Sequence, residues 1–120
     1  MPDKRPELRR GRIVWATVRD RNGIKKRRPA IILTATDDIR EDEPLVVMAV
    51  TTTFADPPPA DHVPLPWDPQ GRTLTKLRKR SGAVLSWIAE VLPNDIVECH
   101  GDVPVPLMTR ILKSLDEQRP

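Results

Sequence analysis

Short stretches of apolar and β-branched residues, separated by turn residues, dominate the pattern of the chain. The first stretch carries apolar side chains on both faces, which is typical of a strand buried in a small barrel. Five or six short strands are predicted in this way, and no strand–helix–strand unit indicates a parallel sheet. The predicted strands cover residues 12–18, 29–34, 45–53, 62–65, 83–91 and 96–100.

The C-terminal part of the chain changes from this alternating pattern to a helical one. Gly101 is expected to stop the last strand, and Pro106 is expected to begin a helix that ends near residue 118. The apolar face of this helix follows from the four-residue spacing of Leu107, Ile111 and Leu115. The pattern therefore predicts a mainly β fold, a small and strongly bent β-barrel with a C-terminal α-helix.

Three connections between these elements stand out by their composition. Asn22 and Gly23 form a turn pair inside residues 19–28, so this segment is predicted to be the basic loop of a long hairpin. Residues 54–60 contain three consecutive prolines and are expected to form a stiff connector. Residues 67–80 are predicted to be a second loop, rich in arginine and lysine.

Length and composition indicate one domain. With 120 residues, 38% of them apolar, residues 11–118 can form a single core after a flexible N-terminal arm at residues 1–10. The single cysteine, Cys99, excludes an internal disulfide and a zinc site with several cysteines. No apolar run approaches the ~20 residues that span a bilayer. We therefore expect a cytoplasmic protein with no membrane segment, no metal and no cofactor.

Charge is distributed unevenly along the chain. Eleven of the twenty lysines and arginines lie in the first 28 residues and five more lie at residues 72–80, although the formal net charge is only +3. Acidic residues concentrate at residues 37–43. Segregated positive charge attracts polyanions, of which phosphate backbones are the commonest. Charge alone leaves open the alternative that these runs are simply solvated loops.

The motifs of common hydrolases and nucleotide-binding proteins are absent. The sequence contains no Gly-x-Ser-x-Gly, no His-Glu-x-x-His, no phosphate-binding loop and no glycine-rich dinucleotide turn. His62 and His100 lie 38 positions apart, and nothing in the sequence pairs them. Cys99 and His100 are neighbours on a predicted strand, so their side chains should point to opposite faces. The sequence therefore favours neither histidine as a catalytic residue.

Arg28 and Thr51 remain as candidates for chemistry. Arg28 ends the basic run, residues 25–28, just before Pro29 and an apolar strand, and Thr51 lies at the end of another strand. Arginine binds phosphate bidentately, and a threonine hydroxyl can donate to a developing phosphorane oxygen. In RNA the 2′-hydroxyl supplies the nucleophile, so such a pair could promote phosphoryl transfer without a metal. The alternative is a surface arginine and a threonine that serves β propensity only.

Several short segments follow one another in a specific order. They are Gly-Arg-Ile-Val-Trp at 11–15, Lys-Arg-Arg-Pro-Ala-Ile-Ile-Leu at 26–33, Val-Met-Ala-Val-Thr-Thr at 47–52, a serine and an apolar strand at 81–85, and Gly-Asp-Val at 101–103. Together with the helix that follows, they cover residues 11–115. In this order and spacing they resemble the MazF/PemK family of toxin endoribonucleases.

This resemblance implies a fold, an activity and partners. The family fold is an SH3-like barrel of the CcdB/MazF type. Its members form homodimers and cleave single-stranded RNA without a metal, leaving a 2′,3′-cyclic phosphate and a 5′-hydroxyl. Its catalytic arginine and strand-end threonine fall on Arg28 and Thr51, and its mobile first loop falls on residues 19–27. The implied partner is a cognate antitoxin with an acidic, disordered tail. The residues expected to hold RNA beside this pair are Lys25, Lys26, Arg27 and Thr52.

Two departures from the family pattern leave base recognition and dimer contacts open. Many members carry an acidic residue shortly before the arginine, where this chain has Ile24, and a different sequence where this chain reads Ser-Trp-Ile-Ala-Glu at 86–90. Two other functions also stay open: a non-catalytic SH3-like module that binds nucleic acid or an acidic peptide, and a toxin of related fold that acts on gyrase. The tryptophans Trp15, Trp67 and Trp87 are either core residues or base-stacking residues.

Overall fold

A computed structural model describes residues 8–20, 22–52 and 59–117, which form one sheet and one long helix. The strands are β1 (Arg12–Arg19), β2 (Lys25–Ile32), β3 (Leu45–Thr51), β4 (His62–Leu65), β5 (Ser81–Val91) and β6 (Ile96–Asp102), and the helix is α1 (Val105–Glu117). Single turns of 3₁₀ helix occur at Thr36–Asp38 and Pro93–Asp95. Neighbouring strands are antiparallel in the order β4-β5-β3-β2-β1-β6. The prediction of a mainly β fold with a C-terminal helix is confirmed.

A tight turn joins β1 to β2 and sets their register. One carboxylate oxygen of Asp20 accepts hydrogen bonds from the backbone N–H groups two and four residues later, both at 2.9 Å. Gly23, with φ +80°, supplies the left-handed conformation that the turn needs. Arg19 then lies directly opposite Lys25. The prediction that residues 25–28 belong to a long loop is therefore wrong, because the short turn starts the ladder before the basic run begins.

The sheet buries side chains on both faces, and β1 contributes to both, as its apolar pattern predicts. One core includes residues of α1 and β4 and consists of Ile13, Ile31, Leu33, Met48, Val50, Val63, Leu65, Leu77, Ala83, Leu85, Val103, Met108 and Ile111. The other consists of Val14, Ala16, Val18, Ala30, Ile32, Leu45, Val47 and Val91. Ile111, the central residue of the predicted helical face, is fully buried.

Gly101 lies inside β6, which continues to Asp102, so the prediction that this glycine ends the strand is wrong. A glycine is required here because the backbone at Leu74 approaches β6 closely, and a Cβ atom on residue 101 would overlap the carbonyl oxygen of Leu74. The backbone N–H groups of Gly101 and Asp102 donate to the carbonyl oxygens of Thr75 and Leu74, at 3.2 and 3.0 Å. The connection between β4 and β5, here named the 66–80 loop, is thus bonded to the backbone of β6.

The sheet is open, and the predicted closure into a barrel is not observed. β4 and β6 lie at opposite edges, and no ladder joins them within the described residues. β6 is instead bonded to the irregular backbone of the 66–80 loop, which covers the strand at this point. The SH3-like character of the fold stays a prediction.

Other element boundaries lie within a few residues of the predictions. β3 ends at Thr51, two residues before its predicted end, and β5 begins at Ser81, two residues before its predicted start. Most of the predicted arm, most of the proline connector and the last predicted helical residue lie outside the described residues, in segments 1–7, 53–58 and 118–120. Within the described part of the chain, no helix is long and apolar enough to span a membrane.

Candidate functional site

A cavity of about 400 Å³ opens at the end of the sheet where β2 begins and β3 ends. Five arginines and lysines line it, and no aspartate or glutamate is among the described residues that do so. The cations are Arg27, Arg28, Lys76, Arg78 and Lys79; the other lining residues are Trp15, Pro29, Val50, Thr51, Thr52, Leu77, Ser81 and His100. We name it the cationic cavity, and its positive charge favours an anionic ligand.

The strand register places Arg28 and Thr51 at this cavity from neighbouring strands. The β2–β3 ladder ends with Ala30 paired to Ala49; Arg28 lies two residues before the first and Thr51 two residues after the second. Because residues two positions apart share a face of a strand, both side chains belong to the face that carries the two alanines. The structure therefore brings the predicted catalytic pair to one cavity.

An aromatic ring orients the guanidinium of Arg28. The Cζ atom of Arg28 lies 4.4 Å from the ring centroid of Trp87, within cation–π distance. The indole N–H of Trp87 donates to the carbonyl oxygen of Arg19 at 3.1 Å, which fixes the ring. The Nε of Arg28 is buried and has no hydrogen-bond partner in the described part of the chain. A buried donor without a partner costs free energy, which a bound anionic oxygen would offset.

The four residues predicted to bind RNA beside this pair separate into two groups. Arg27 and Thr52 line the cationic cavity. Lys25 and Lys26 are exposed at the start of β2 and do not line it. Their contact with RNA stays a prediction, and it requires the nucleic acid to extend from the cavity along the β1–β2 hairpin.

Sequence reasoning missed the wall of the cavity that the 66–80 loop provides. Lys76, Arg78 and Lys79 belong to this wall. The run of cations at residues 72–80 is visible in the sequence as a charge cluster, which is the one signal that points to them. No local pattern shows that the loop folds against β6, because that contact rests on backbone groups far apart in the chain.

Thr75 fixes the conformation of the 66–80 loop. Its side chain is fully buried, and its hydroxyl donates to the carbonyl oxygen of Pro66 at 2.7 Å and accepts from the N–H of Leu77 at 3.2 Å. The hydroxyl of Thr73, 2.8 Å away, is then the donor in their mutual bond, because the proton of Thr75 is already used. Lys76 follows with φ +65°, and within the described residues no other non-glycine residue has a positive φ.

The two histidines occupy different surroundings. His100 lines the cationic cavity, with its Nε2 atom 3.3 Å from a carboxylate oxygen of Glu98 and its ring centroid 5.9 Å from that of Trp15. His62 is not part of the lining, and its Nδ1 lies 2.8 Å from a carboxylate oxygen of Asp61. His100 is thus the histidine near the predicted catalytic pair, which its position in the sequence does not indicate.

Two carboxylates outside the cavity lining are held ionised by their partners. The hydroxyl of Ser86 donates to Asp61 at 2.7 Å and, with a further contribution from the neighbouring histidine, lowers the pKa of Asp61. Arg9 donates to both oxygens of Asp102, at 3.0 and 2.9 Å, and lowers the pKa of Asp102. A lowered pKa weakens a carboxylate as a base, so neither group suits proton abstraction. The described residues contain no cluster of three acidic, histidine or cysteine side chains that could hold a metal ion.

Comparison with known families decides which class of protein has this site. The family model described as "PemK-like, MazF-like toxin of type II toxin-antitoxin system" matches residues 9–118. This chain belongs to the PemK/MazF toxin family. The matched segment includes every residue that lines the cationic cavity, and the resemblance carried by the short sequence segments is confirmed. No curated protein sequence gave a significant match.

Solved structures similar to this PemK/MazF-family chain support the same fold. A MazF from Deinococcus radiodurans gives a TM-score of 0.72 at 14% identity and covers 92% of this chain and 94% of that chain. A MazE-MazF structure from the same organism gives 0.68 at 15%, covering 92% and 94%. An endoribonuclease from a mycobacterial species gives 0.68 at 15%, covering 98% and 100%. At these identities the likeness establishes the fold and leaves the site chemistry to this chain's own residues.

Two segments of the sequence are candidate departures from the PemK/MazF pattern, and the structure shows what their residues do. Ile24 is 53% exposed in the β1–β2 turn. Trp87, in the departing segment 86–90, provides the ring that contacts Arg28. None of the three tryptophans is fully buried: Trp87 and Trp15 are half-buried at or beside the cavity, and Trp67 is exposed. Whether or not other members share it, Trp87 supplies a contact to the predicted catalytic arginine in this chain.

Proposed function

We propose that this PemK/MazF-family chain is a metal-independent endoribonuclease toxin that cleaves single-stranded RNA such as mRNA at specific sequences. The observation that carries the proposal is the position of Arg28 and Thr51, which line one cavity together with four further cations and with no acid among the described lining residues. A phosphodiester backbone is the polyanion that such a cavity would attract. The mycobacterial endoribonuclease of the same fold is consistent with this activity.

The proposed reaction uses the substrate's own nucleophile. The ribose 2′-oxygen attacks the adjacent phosphorus, the new O2′–P bond forms as the P–O5′ bond breaks, and the products carry a 2′,3′-cyclic phosphate and a 5′-hydroxyl. The proton of the 2′-hydroxyl leaves to a base, and the departing 5′-oxygen gains a proton. Arg28 would neutralise the non-bridging oxygens, and the hydroxyl of Thr51 would donate to one of them as charge develops.

Arg28 is assigned to charge stabilisation and not to proton removal. A guanidinium stays protonated at every pH at which RNA is handled in cells, so it has no basic lone pair to accept the 2′-proton. Its planar fork of N–H donors instead matches two phosphate oxygens. Arg27, Lys25 and Lys26 would hold flanking phosphates, and Thr52 would add a weaker contact beside Thr51.

The proposed partners follow from the family and from the charge of the site. We propose that the toxin acts as a cytoplasmic homodimer and is neutralised by a cognate antitoxin with an acidic, disordered tail. Two of the similar solved structures are MazE-MazF structures, which supports a partner of this kind. An acidic tail is complementary to the cationic cavity and would compete with RNA for it.

The test compares Arg28→Ala with a matched control, Arg110→Ala, an exposed arginine on α1. Labelled single-stranded RNA is incubated with each protein in excess chelator. Removing one positioned charge donor is expected to lower kcat by at least about 100-fold, while the control keeps parental activity. Circular dichroism and Tm should show that both variants fold. Equal cleavage by Arg28→Ala and the parent would remove Arg28 from the mechanism.

Two further readouts separate the proposal from a binding module that does not cleave. Mass spectrometry of the products should find the cyclic phosphate, and RNA with deoxyribose at the cleaved position should resist, because the nucleophile is missing. Binding of RNA without any cleavage, in chelator or in added divalent metal, would identify a non-catalytic nucleic-acid-binding module instead.

A further inference from the structure

We propose that Lys76, with Arg78 and Lys79, forms a second phosphate-binding subsite in the cationic cavity, for an RNA phosphate adjacent to the one at Arg28. The identity of the ligand as RNA rests on the proposed function. The subsite itself rests on the charge, the backbone conformation and the anchoring of the 66–80 loop.

The cavity holds more positive charge than one phosphodiester requires. A phosphodiester carries one negative charge, and Arg28 with Thr51 already offers it a cation and a hydroxyl. The loop adds three cations to the same cavity. Within the described residues none of their side chains makes an ion pair or hydrogen bond. Because a nucleic acid strand carries a phosphate at every nucleotide, a strand entering the cavity brings a second anion to these side chains.

The backbone of Lys76 is held in a conformation that lysine disfavours. Its φ of +65° lies in the left-handed region, where a Cβ atom is penalised and where glycine or asparagine is the usual residue. Its N–H donates to the carbonyl oxygen of Thr73 at 3.1 Å, which closes this turn of the loop. A lysine at this position strains the turn and adds a positive charge to the cavity. Its presence is therefore better explained by a ligand that its side chain binds than by the stability of the loop.

The loop is also rigid enough to present these cations. The buried hydroxyl of Thr75 forms hydrogen bonds with three groups of the loop. The backbone carbonyl oxygen of Thr75 accepts a hydrogen bond from the N–H of Gly101 at 3.2 Å. Lys76 therefore projects from a backbone that is tied to β6 on its N-terminal side. A cation on a fixed backbone loses less conformational freedom when it binds phosphate than one on a mobile loop.

The test replaces Lys76 with asparagine, which removes the charge and suits the left-handed backbone. The probe is a mixed-sequence single-stranded RNA with 2′-O-methyl riboses, which cannot be cleaved, and its affinity is measured by fluorescence anisotropy at several salt concentrations. Lys76→Asn is expected to bind about tenfold more weakly. The slope of log affinity against log salt should fall in magnitude by about 0.7, as expected for one lost phosphate contact on a single strand. Its Tm should equal or exceed that of the parent.

Three comparisons make the result decisive. Lys76→Arg should keep most of the affinity, and Lys113→Gln, which removes an exposed cation of α1 outside the cavity, should leave affinity and slope unchanged. A probe whose linkages are methylphosphonates has no backbone charge, so the parent and Lys76→Asn should bind it equally. An unchanged slope in Lys76→Asn, an equal loss in Lys113→Gln, or a large fall in the Tm of Lys76→Asn would overturn the subsite.

This test is independent of cleavage. If the parent binds the probe and Lys76→Asn shows the loss, but RNA is never cut, the subsite stands and the nuclease proposal fails. If RNA is cut but Lys76→Asn binds as tightly as the parent, the nuclease proposal stands and the subsite fails.

Discussion

Trp87 is the residue that holds Arg28 in place, because the Nε of this arginine has no hydrogen-bond partner within the described residues and its guanidinium lies over the indole. A cation–π contact in a partly desolvated site contributes about 1–2 kcal/mol. In-line attack requires a correctly placed guanidinium. We therefore expect the ring to affect the rate of cleavage more than the affinity for RNA.

The prediction compares Trp87→Phe with Trp87→Leu. Both lose the N–H bond to the backbone of Arg19 and part of the packing, but only phenylalanine keeps an aromatic face. Trp87→Leu should lower kcat about tenfold, a loss of about 1.4 kcal/mol of transition-state stabilisation, while Trp87→Phe stays within about threefold of the parent. Single-turnover kinetics with saturating protein separates rate from binding. An equal fall in kcat for the two variants would attribute the effect to packing volume.

Asp102 makes part of the stability depend on pH. The hydrogen bonds from Arg9 lower the pKa of Asp102 below the ordinary 3.8, so the unfolded state binds the proton more readily. The stabilisation is therefore fully present above about pH 5 and is lost as pH falls through the lowered pKa. Asp102→Asn should reduce the free energy of unfolding by about 1 kcal/mol at pH 7. In urea titrations the difference from the parent should shrink as the pH falls from 5 to 2.5.

Arg9→Ala provides the complementary measurement. It should remove most of the same pH-dependent part of the stability; a remainder is kept by Arg12, whose guanidinium lies 3.8 Å from Asp102. The double variant should therefore lose little more pH dependence than Asp102→Asn alone. A difference between parent and Asp102→Asn that stays constant down to pH 2.5 would contradict the assignment of the ion pair.

At the scale of residues, the sequence predicts positions that local strand geometry defines. Arg28 precedes the apolar half of β2 and Thr51 ends β3, so the sequence offers both as candidates, and the family resemblance selects them. Lys76 and His100 could not be predicted in the same way. They reach the cavity through the contact between the 66–80 loop and β6, which depends on backbone bonds between distant segments.

At the scale of elements, Gly101 couples β6 to the 66–80 loop. A methyl group at this position would overlap the carbonyl oxygen of Leu74, a backbone atom that cannot move without displacing the loop. Gly101→Ala should therefore lower the free energy of unfolding by about 2–3 kcal/mol. It should also weaken RNA binding, because Lys76 would lose its fixed backbone. Urea unfolding and anisotropy titration measure the two effects.

Gly23 provides a control for this substitution. It has φ +80°, and among the described residues an added Cβ atom would meet only the end of the flexible Arg19 side chain, at 3.9 Å. Asparagine tolerates the left-handed conformation, so Gly23→Asn should change the free energy of unfolding by less than about 1 kcal/mol. If Gly101→Ala proved as mild as this control, the loop would not be locked to β6.

The elements themselves are predictable where one periodicity persists. The helix and the six strands follow from the spacing of apolar residues, and all their boundaries except the start of β2 are predicted to within a few residues. The start of β2 is not predictable in this way, because four consecutive cations resemble a loop, whereas the Asp20 turn already sets the pairing with β1. Barrel closure was not predictable either, since it depends on whether the two edge strands meet.

At the scale of the whole molecule, the charges are separated along the strands. The acidic segment, residues 37–43, lies between the end of β2 and the start of β3, whereas the cationic cavity lies at the other end of the same two strands. The seven residues of β3 extend about 20 Å at about 3.3 Å per residue. This separation exceeds the Debye length of about 8 Å at physiological ionic strength.

RNA binding should therefore respond to the local field of the cavity and not to the net charge. The double variant Asp42→Asn/Glu43→Gln raises the formal net charge of +3 by two, because each substitution removes one exposed acid. At about 0.15 M salt its affinity for single-stranded RNA should stay within about twofold of the parent, because screening hides the distant acids from the bound strand. At about 0.01 M salt, where the Debye length is about 30 Å, its affinity should rise above that of the parent. Anisotropy titrations over this salt range, with Lys76→Asn alongside, measure both effects. A gain in affinity at 0.15 M as large as the loss in Lys76→Asn would mean that total charge governs binding, and the cavity would then have no special role in attracting the strand.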